Sequence, residues 1–352
     1  MIGYSRGWLG SRWLLAVMVE STFLLVLVLM PVGCGSGSSG SVQSSGEEGS
    51  GEGSVSVLYA GSLVKAMESG IGPAFSARSG FDYRGEGKGS VAAVNLIKDG
   101  LRDPDVFISA DQSVNELLMG ENEAQVSWFM TFASTAMVVA YSPRGDHVER
   151  FRQVAAGDIP WYEALRTPGL RVGRSDPDLD PSGYRALFTM NLAEEMLDLP
   201  GLKREVLGLD QNSEQIYPEE DLAARLEVGE VDVAFMYRTV AVSHGLPYLE
   251  LPAEINQGSP EFAGLYSAQS YTDEDSGVTY RGSPITFTAT VLEDARNVDG
   301  GVALVRFLVG AEGVRILRDQ GVEPLTPRIG GDAGAVPEEI SMQLRGETGD
   351  EE

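Results

Sequence analysis

The chain has 352 residues, and its 52 acidic and 26 basic side chains give a formal net charge of -26 at pH 7. This acidic balance argues against a nucleic-acid-binding surface, because such surfaces are basic. The single cysteine, Cys34, excludes an intramolecular disulfide and a cysteine-based zinc site, and two histidines leave few candidates for metal or Ser-His-Asp chemistry. Without its two ends the chain keeps roughly 270 residues, enough for one large or two ordinary domains.

Residues 1–33 have the layout of a secretory signal, with Arg6 and Arg12 ahead of an apolar run that ends at Cys34. The run is about a dozen residues, shorter than the ~20 of a spanning helix, which favours a cleaved signal. Because the cysteine ends this run, the segment resembles a bacterial lipoprotein signal in which the cysteine becomes the lipidated first residue, although Pro31 stands where a Leu-like residue is usual. An uncleaved anchor is the alternative, and either arrangement holds the protein at the outer face of a membrane.

The segments at both ends of the remaining chain are polar and rich in glycine. Residues 34–54 are nearly all Gly, Ser and Glu, a composition that cannot bury apolar surface and predicts a flexible tether. Residues 327–352 are again Gly-rich and acidic, and they are predicted to form a disordered tail.

Between these ends, short β-branched or apolar runs alternate with helical segments. Residues 55–60 predict a buried strand followed by a helix, and residues 105–109 predict a second strand followed by an apolar helix. Such repeated strand-turn-helix units imply a parallel or mixed sheet covered by helices.

Two longer strand-like runs, 134–141 and 285–292, bracket a middle segment and suggest two lobes between which the chain crosses twice. Lobe 1 is then residues 55–132 plus 293–326, and lobe 2 is residues 133–292 with the hinge strands. In open α/β sheets the ligand lies beyond the carboxyl ends of the strands, so the cleft between the lobes is the expected site.

Four short segments stand where a predicted strand gives way to a helix. Free N–H groups at helix starts, together with serine hydroxyls, suit an oxyanion without requiring a basic side chain. Taken singly, Ser62, Ser90 and Ser182 are interpreted as helix N-cap residues, because serine is one of the commonest residue types at that position. The Gly-rich run 85–90 lacks the phosphate-loop spacing, so a nucleotide site is not expected. The four segments are residues 60–62, 87–91, 180–185 and 217–222.

At these segments the chain resembles the tungstate- and molybdate-binding proteins of ABC importers, a branch of the two-lobed periplasmic-type solute-binding proteins. The resemblance runs from residue 55 to residue 326. It implies an α/β, type II periplasmic-binding-protein-like fold, with mixed sheets flanked by helices and two hinge crossovers. Its motifs are Ala60-Gly-Ser-Leu63, Gly89-Ser-Val-Ala92, Ser109-Ala-Asp111, Asp180-Pro-Ser-Gly-Tyr-Arg185, Phe235-Met-Tyr-Arg238, Leu249-Glu-Leu-Pro252 and Gly321-Val-Glu-Pro-Leu325.

The resemblance also implies which residues contact the anion. Asp180 and Glu219 would bind the tungsten or molybdenum atom itself and expand its coordination from four oxygens to six, with Glu220 as the alternative to Glu219. High-valent metals suit hard carboxylate oxygens. Sulfate and phosphate cannot expand in this way and would be repelled. The implied anion-binding residues are Gly61, Ser62, Ser90, Asp180, Pro181, Ser182, Glu219 and Tyr237.

Three neighbouring residues are interpreted as having structural or supporting roles. Arg185 fits either an ion-pair partner that orients Asp180 or a residue on a solvated helix face. Asp111 fits a helix cap that shapes lobe 1. Tyr184 is interpreted as a packed residue, whereas the resemblance favours Tyr237 as the tyrosine that contacts the anion.

The expected function is therefore a monomeric, non-enzymatic binding protein without a cofactor. It would capture tungstate or molybdate at the outer face of the cell membrane, held there by a lipid on Cys34, and deliver it to the permease and ATPase subunits of an ABC importer. A binding protein for sulfate, thiosulfate or another small anion is the closest alternative. A glycosidase using Asp180 and Glu219 as its acid-base pair lacks the expected aromatic-rich cleft, and a surface domain that has lost its ligand would not need to keep this set of residues.

Overall fold

The computed structural model describes residues 53–120 and 124–347. The predicted signal, the lipidation site at Cys34 and nearly all of the predicted tether therefore lie outside the described residues. Within the described ranges, no helix combines the length and the hydrophobicity that a membrane crossing requires.

The described strands form one large sheet, one smaller sheet and a hairpin. The large sheet has six strands and the smaller sheet has four, while the other two strands pair only with each other. In chain order the strands are β1 (Ser54–Ala60), β2 (Asp82–Lys88), β3 (Val106–Ser109), β4 (Trp128–Ser134), β5 (Met137–Tyr141), β6 (Val172–Gly173), β7 (Val233–Tyr237), β8 (Tyr248–Glu250), β9 (Ser270–Thr272), β10 (Thr279–Arg281), β11 (Thr286–Val291) and β12 (Glu323–Gly331).

Both larger sheets are mixed. The six-stranded sheet has the order β12-β4-β11-β3-β1-β2, in which β1 runs parallel to β2 and β3 and the other neighbours are antiparallel. The four-stranded sheet has the order β6-β7-β5-β8, with β6 and β7 parallel. The strands β3 and β7 are continuous apolar runs that are buried throughout, as expected for strands covered on both faces.

Helices flank the sheets. A helical segment directly after β1 passes from a 3₁₀ turn (Gly61–Leu63) through a π turn (Met67–Ile71). The α-helices in chain order are α1 (Val64–Ala66), α2 (Gly72–Ser79), α3 (Ser90–Lys98), α4 (Gln112–Glu116), α5 (Val148–Ala155), α6 (Trp161–Leu165), α7 (Pro181–Leu197), α8 (Leu202–Leu207), α9 (Glu219–Val228), α10 (Arg238–His244), α11 (Ala263–Tyr266), α12 (Val298–Val309), α13 (Ala311–Asp319) and α14 (Glu338–Glu347).

The chain crosses between the two sheets twice, as the predicted fold class requires. It leaves the six-stranded sheet at Ser134, enters the four-stranded sheet at Met137 and returns to the first sheet at Thr286. The strand β11, which fell inside the segment predicted for lobe 2 with its hinge strands, pairs with β3 and β4 in the six-stranded sheet. We refer to the six-stranded sheet with its helices as lobe 1 and to the four-stranded sheet with its helices as lobe 2.

The prediction of a disordered tail from residue 327 is wrong for residues 327–347. β12 extends to Gly331, and α14 follows a short 3₁₀ turn. The high Gly and Glu content of this segment favours disorder, but burial of one apolar face is sufficient to hold the helix in place: Ile340 is buried and Val336 nearly so. Arg306 of α12 donates from Nε to Gln343 Oε1 (3.0 Å), which adds a polar contact to this packing.

The parallel strand pairs bring the predicted turns together. In lobe 1, Ala60 at the end of β1 is in register with Lys88 at the end of β2, so the following turns leave the sheet side by side. In lobe 2, Arg174 directly after β6 forms an isolated parallel bridge with Ile216, which brings the segments that lead into α7 and α9 together. Because the carboxyl ends of parallel strands meet at one edge of a sheet, each lobe presents a pair of such turns.

Candidate oxyanion-binding site

Lobe 1 contributes Gly61 and Ser62 after β1, and Ser90 after β2. Ser62 is 3% exposed, and its backbone N–H donates to Glu219 Oε2 of lobe 2 (2.8 Å). Ser90 is fully buried, and its hydroxyl oxygen accepts a bond from the Ala110 N–H (3.1 Å). The two serines thus begin their helices at the face of lobe 1 that meets lobe 2.

The first turn of α7 supplies the lobe 2 side of the site. Asp180 is the N-cap residue, and its Oδ1 accepts from the Ser182 N–H (2.8 Å), while Pro181 occupies the first helical position, where a missing N–H costs nothing. The same Oδ1 accepts from the hydroxyl of Ser182 and from that of Ser175 (3.0 Å). Three donors on one carboxylate oxygen hold the Asp180 side chain in a fixed orientation.

Two adjacent glutamates at the start of α9 have different surroundings. Glu219 is 4% exposed, and its Oε2 accepts the Ser62 N–H. Glu220 is partly exposed and pairs with Lys88 Nζ of lobe 1 (3.4 Å). Glu219 is therefore the buried carboxylate, bonded to the Ser62 turn, whereas Glu220 is the partly exposed one, paired with Lys88 beside the Ser90 turn.

Tyr237 ends β7 and is fully buried. Its ring meets that of Phe287 edge to face, with centroids 6.3 Å apart. Tyr184, by contrast, donates its hydroxyl to Asp111 Oδ2 (3.0 Å) and stacks on Tyr280. Tyr184 is packed as predicted, whereas Tyr237 Oη is, among the described residues, the buried tyrosine hydroxyl that has no hydrogen-bond partner.

Unpartnered buried atoms converge on this region. Among the described residues, ten buried side-chain nitrogen or oxygen atoms have no hydrogen-bond partner, and four of them belong to predicted anion-binding residues. A buried polar atom without a partner costs about 1–3 kcal/mol and calls for an explanation. The four atoms are Ser62 Oγ, Asp180 Oδ2, Glu219 Oε1 and Tyr237 Oη.

The two carboxylates perturb each other. Burial raises the pKa of Asp180, although the bonds from Ser182 and Ser175 oppose this effect. Burial, followed by the negative charge of Asp180, raises the pKa of Glu219 well above its usual range, and the Ser62 N–H opposes the rise. Burial likewise raises the pKa of Tyr237, and the nearby charge of Arg185 acts in the opposite direction. Burial beside Asp180 therefore favours the protonated form of Glu219, because two adjacent buried negative charges repel each other.

Backbone lies so close around the site that glycine is required at the lobe contact. A Cβ on Gly89 would lie 2.6 Å from the carbonyl oxygen of Leu179 and 3.1 Å from Asp180 Oδ2. A Cβ on Gly61 would lie 2.9 Å from Glu219 Oε2. A cavity of about 320 Å³ adjoins this contact and is lined by residues of both lobes, Asp180, Glu219, Glu220 and Lys88 among them.

The interpretation of the three serines as helix N-cap residues needs correction. None of Ser62, Ser90 and Ser182 is an N-cap: Ala60, Gly89 and Asp180 hold those positions. Each serine is instead the first or second residue of its helix, where its own N–H has no acceptor within the helix.

Arg185 neither pairs with Asp180 nor lies on a solvated face. It is fully buried, and its Nη2 lies 2.5 Å from Asp111 Oδ2. Asp111 is a helix cap as predicted, since its Oδ1 accepts from the Ser113 N–H (2.9 Å), but it also has this partner from lobe 2. Sequence reasoning missed Ser175 as well, whose one local signal is its position directly after a short strand and before an Asp-Pro turn.

Comparisons with known proteins agree with this geometry. A protein of Haloferax volcanii, provisionally named as an ABC transporter molybdenum-binding protein, is 40% identical over 261 residues, covering 74% of this chain and 78% of its own. The molybdate/tungstate-binding protein WtpA of Thermococcus kodakarensis is 29% identical over 344 residues, covering 91% of this chain and 94% of its own. The solved periplasmic molybdate-binding protein of Azotobacter vinelandii shares the fold, with a TM-score of 0.53 at 16% identity, over 76% of this chain and 98% of its own.

A family-level match covers most of the described chain. Residues 55–323 match the family described as bacterial extracellular solute-binding protein. The match begins with β1 and ends at the first residue of β12, so it spans both sheets and every predicted anion-binding residue. The chain therefore belongs to the bacterial extracellular solute-binding proteins, a family of solute-binding transport proteins rather than enzymes.

Proposed function

We propose that this protein captures tungstate or molybdate between its two lobes and delivers it to the permease of an ABC importer at the outer face of the cell membrane. The observation that carries the proposal is the set of four unpartnered, buried oxygens of Ser62, Asp180, Glu219 and Tyr237. The two hydroxyls can donate to anion oxygens, and the two carboxylate oxygens can bind an electrophilic centre. A tetrahedral oxyanion of a metal offers both kinds of partner.

The carboxylates decide which oxyanion fits. A dianion placed beside Asp180 and Glu219 would be repelled by both, and at a few ångströms such repulsion reaches several kcal/mol even at an effective dielectric constant of 20. Direct bonds from the carboxylate oxygens to tungsten or molybdenum would offset that cost, because hard oxygen ligands suit hard, high-valent metals. Sulfur in sulfate cannot accept such bonds, so sulfate would meet the repulsion alone.

The remaining members of the predicted set would complete the binding site. Gly61 allows Glu219 to approach the first turn closely, Ser90 retains a hydroxyl proton that it can donate, and Pro181 with Ser182 opens α7 toward the anion. The names of the Haloferax and Thermococcus relatives, which refer to molybdenum and to molybdate and tungstate, support the same ligand class.

Location and delivery follow from the family and from the N-terminal segment. The family description is that of extracellular proteins, and residues 1–33 followed by Cys34 have the pattern of a lipoprotein signal. Cell fractionation with Cys34→Ala tests the anchor: the variant should move from the membrane fraction to the soluble extracytoplasmic fraction. Retention of the variant in the membrane would refute lipidation as the anchor.

Calorimetric titration of the purified full-length protein with tungstate, molybdate and sulfate tests the ligand. We expect tight binding of tungstate and molybdate and no heat of binding for sulfate. Asp180→Ala should weaken tungstate binding on the order of 100-fold or more, about 2.7 kcal/mol, a larger effect than the roughly 1 kcal/mol of ligand-free stability expected from loss of the α7 cap. Binding of sulfate as tight as that of tungstate would refute metal coordination by the carboxylates.

A further inference from the structure

A second buried charged cluster lies next to the candidate site. The side chains of Arg185 and Asp111 are 0% and 2% exposed, and Arg185 Nη2 is 2.5 Å from Asp111 Oδ2. The Tyr184 hydroxyl donates to the same Asp111 oxygen (3.0 Å). A buried ion pair is costly to desolvate and does not by itself stabilise a fold, so its presence calls for another explanation.

The pair connects the two lobes. Asp111 follows β3 of lobe 1, and its other oxygen, Oδ1, is fixed by the N–H and hydroxyl of Ser113 (both 2.9 Å). Arg185 lies in α7 of lobe 2, five residues after Asp180 and within the second turn of the helix. Because an α-helix is stiff over two turns, a restraint on Arg185 also restrains the first turn that presents Asp180 and Ser182.

The guanidinium also contacts the second crossover. Arg185 Nη1 donates to the Ser283 carbonyl (2.7 Å) and to Gln257 Oε1 (3.2 Å), and Nη2 donates to the Ser283 hydroxyl (3.2 Å). Gln257 Nε2 donates back to the Arg185 carbonyl oxygen (2.9 Å). Both Gln257 and Ser283 lie between β8 and β11, where the chain returns from lobe 2 to lobe 1. The Arg185 side chain therefore bonds both to lobe 1 and to the crossover between the lobes.

We infer that Asp111 and Arg185 are a positioning pair for the oxyanion site. The pair holds the first turn of α7, with Asp180 and Ser182, against the lobe that carries Ser62. It rests on the proposed function, because the site it aligns is the proposed tungstate and molybdate site. The pair is neutral as a whole, and its carboxylate and Nη atoms bond to protein groups, while Arg185 Nε is a further buried atom without a partner. The pair therefore acts on the affinity for tungstate and molybdate alike, whereas Asp180 and Glu219 determine which anion is accepted.

Two substitutions break the pair from opposite sides. Asp111→Asn keeps an oxygen for the Ser113 N–H and so preserves the cap of α4, but it removes the charge that faces Arg185. Arg185→Met removes the cation and keeps most of the side-chain volume. In full-length protein, calorimetry should show a Kd raised about tenfold or more by either change, by the same factor for tungstate and for molybdate. The double variant should bind about as weakly as the worse single variant, because one interaction can be lost only once.

A pair within lobe 2 provides the matched control. Arg171 Nη2 lies 2.6 Å from Asp232 Oδ1, and the buried Asp232 carboxylate accepts further bonds from the Nε and N–H of Arg171, a residue outside the site. Asp232→Asn should lower the melting temperature and leave both Kd values within about twofold of wild type. If Asp111→Asn and Arg185→Met behaved as this control does, with a lower melting temperature and unchanged Kd values, the positioning role would be overturned.

Hydrogen exchange provides a readout that needs no anion. Amides of residues 180–185 should exchange about tenfold faster or more in Asp111→Asn than in wild type, and at the wild-type rate in Asp232→Asn. If the wild type bound neither anion, the proposed function would fail, and the exchange rates alone would decide the role of the pair; unchanged exchange at residues 180–185 would overturn it. If Arg185→Met did not fold, Tyr184→Phe would replace it, with a smaller rise in Kd because it removes one donor to Asp111.

Discussion

Replacing the buried carboxylate of Glu219 by its amide, Glu219→Gln, separates the ligand role of this residue from its structural role. Glu219 Oε2 accepts the Ser62 N–H at 2.8 Å, and an amide oxygen can keep that bond. The other oxygen, Oε1, has no hydrogen-bond partner among the described residues, and burial, followed by the negative charge of Asp180, raises the pKa of Glu219. The substitution therefore removes a repulsion and supplies an NH₂ donor where a second carboxylate stands.

Without ligand, the variant should be more stable than the wild type. Removal of this buried, unpartnered oxygen, which Asp180 repels, should raise the free energy of unfolding by about 1–3 kcal/mol. For a protein of this size, that gain raises the melting temperature by roughly 2–12 °C. With tungstate the sign reverses, because the amide does not replace a carboxylate on the metal. We expect a loss of affinity on the order of 100-fold, about 2.7 kcal/mol.

The pH dependence gives a second measurement on the same pair of proteins. Because the pKa of Glu219 is higher in the folded than in the unfolded chain, the folded state binds the proton more tightly. The stability of the unliganded wild type should therefore fall as the pH rises from the usual value of 4.5 through the raised folded value, by about 1.4 kcal/mol for each tenfold difference in proton affinity. Glu219→Gln should lack this decline.

Differential scanning fluorimetry across pH, together with calorimetric titration, measures both effects. Glu220→Gln is the matched control, since the same chemical change is made one residue away at the partly exposed carboxylate. A Glu219→Gln variant that melts lower than the wild type without ligand, or that binds tungstate as tightly, would refute the reasoning.

Three further predictions concern the lobe contact and its surroundings. Ser62→Ala removes an unpartnered hydroxyl and should weaken tungstate and molybdate equally, about 2–10-fold, without lowering the ligand-free melting temperature; a lower melting temperature would indicate a structural bond instead. Gly89→Ala places a Cβ 2.6 Å from a carbonyl oxygen of the other lobe and should weaken binding on the order of tenfold by calorimetry, whereas Gly264→Ala, with nothing within 4 Å, should have no effect. Lys88→Gln breaks a partly exposed ion pair between the lobes and should raise the Kd by at most about fivefold while reducing the salt dependence of tungstate association in stopped-flow measurements; Lys98→Gln, at the exposed last residue of α3, should change neither.

Local signals in the sequence predict the turns of the candidate site better than they predict contacts between distant segments. Turns that follow buried strands have local signatures, such as Gly61-Ser62 and Asp180-Pro181, and the strands that position them are apolar runs that periodicity detects. The ambiguity between Glu219 and Glu220 could not be resolved in this way, because adjacent helix residues differ in burial only through the angle at which the helix is packed.

Contacts between distant segments had no local signal. Asp111 and Arg185 are 74 residues apart, and nothing near either residue identifies its partner. The C-terminal helix α14 was missed for the same reason: it is held by tertiary packing of Ile340 and Val336, and its composition alone resembles that of a tail.

The two lobes meet backbone to backbone beside the site, where the Ala92 N–H donates to the Leu179 carbonyl oxygen (3.0 Å). Side-chain contacts can lengthen by a change of rotamer, but a bond between two peptide groups fixes the spacing to within a few tenths of an ångström. The distance between the two lobes at this contact is therefore fixed. An oxyanion with a carbon substituent, such as a phosphate or sulfate ester, would hold Ala92 and Leu179 apart and forfeit this bond, so the protein should discriminate by size against organic esters as well as by coordination chemistry against sulfate.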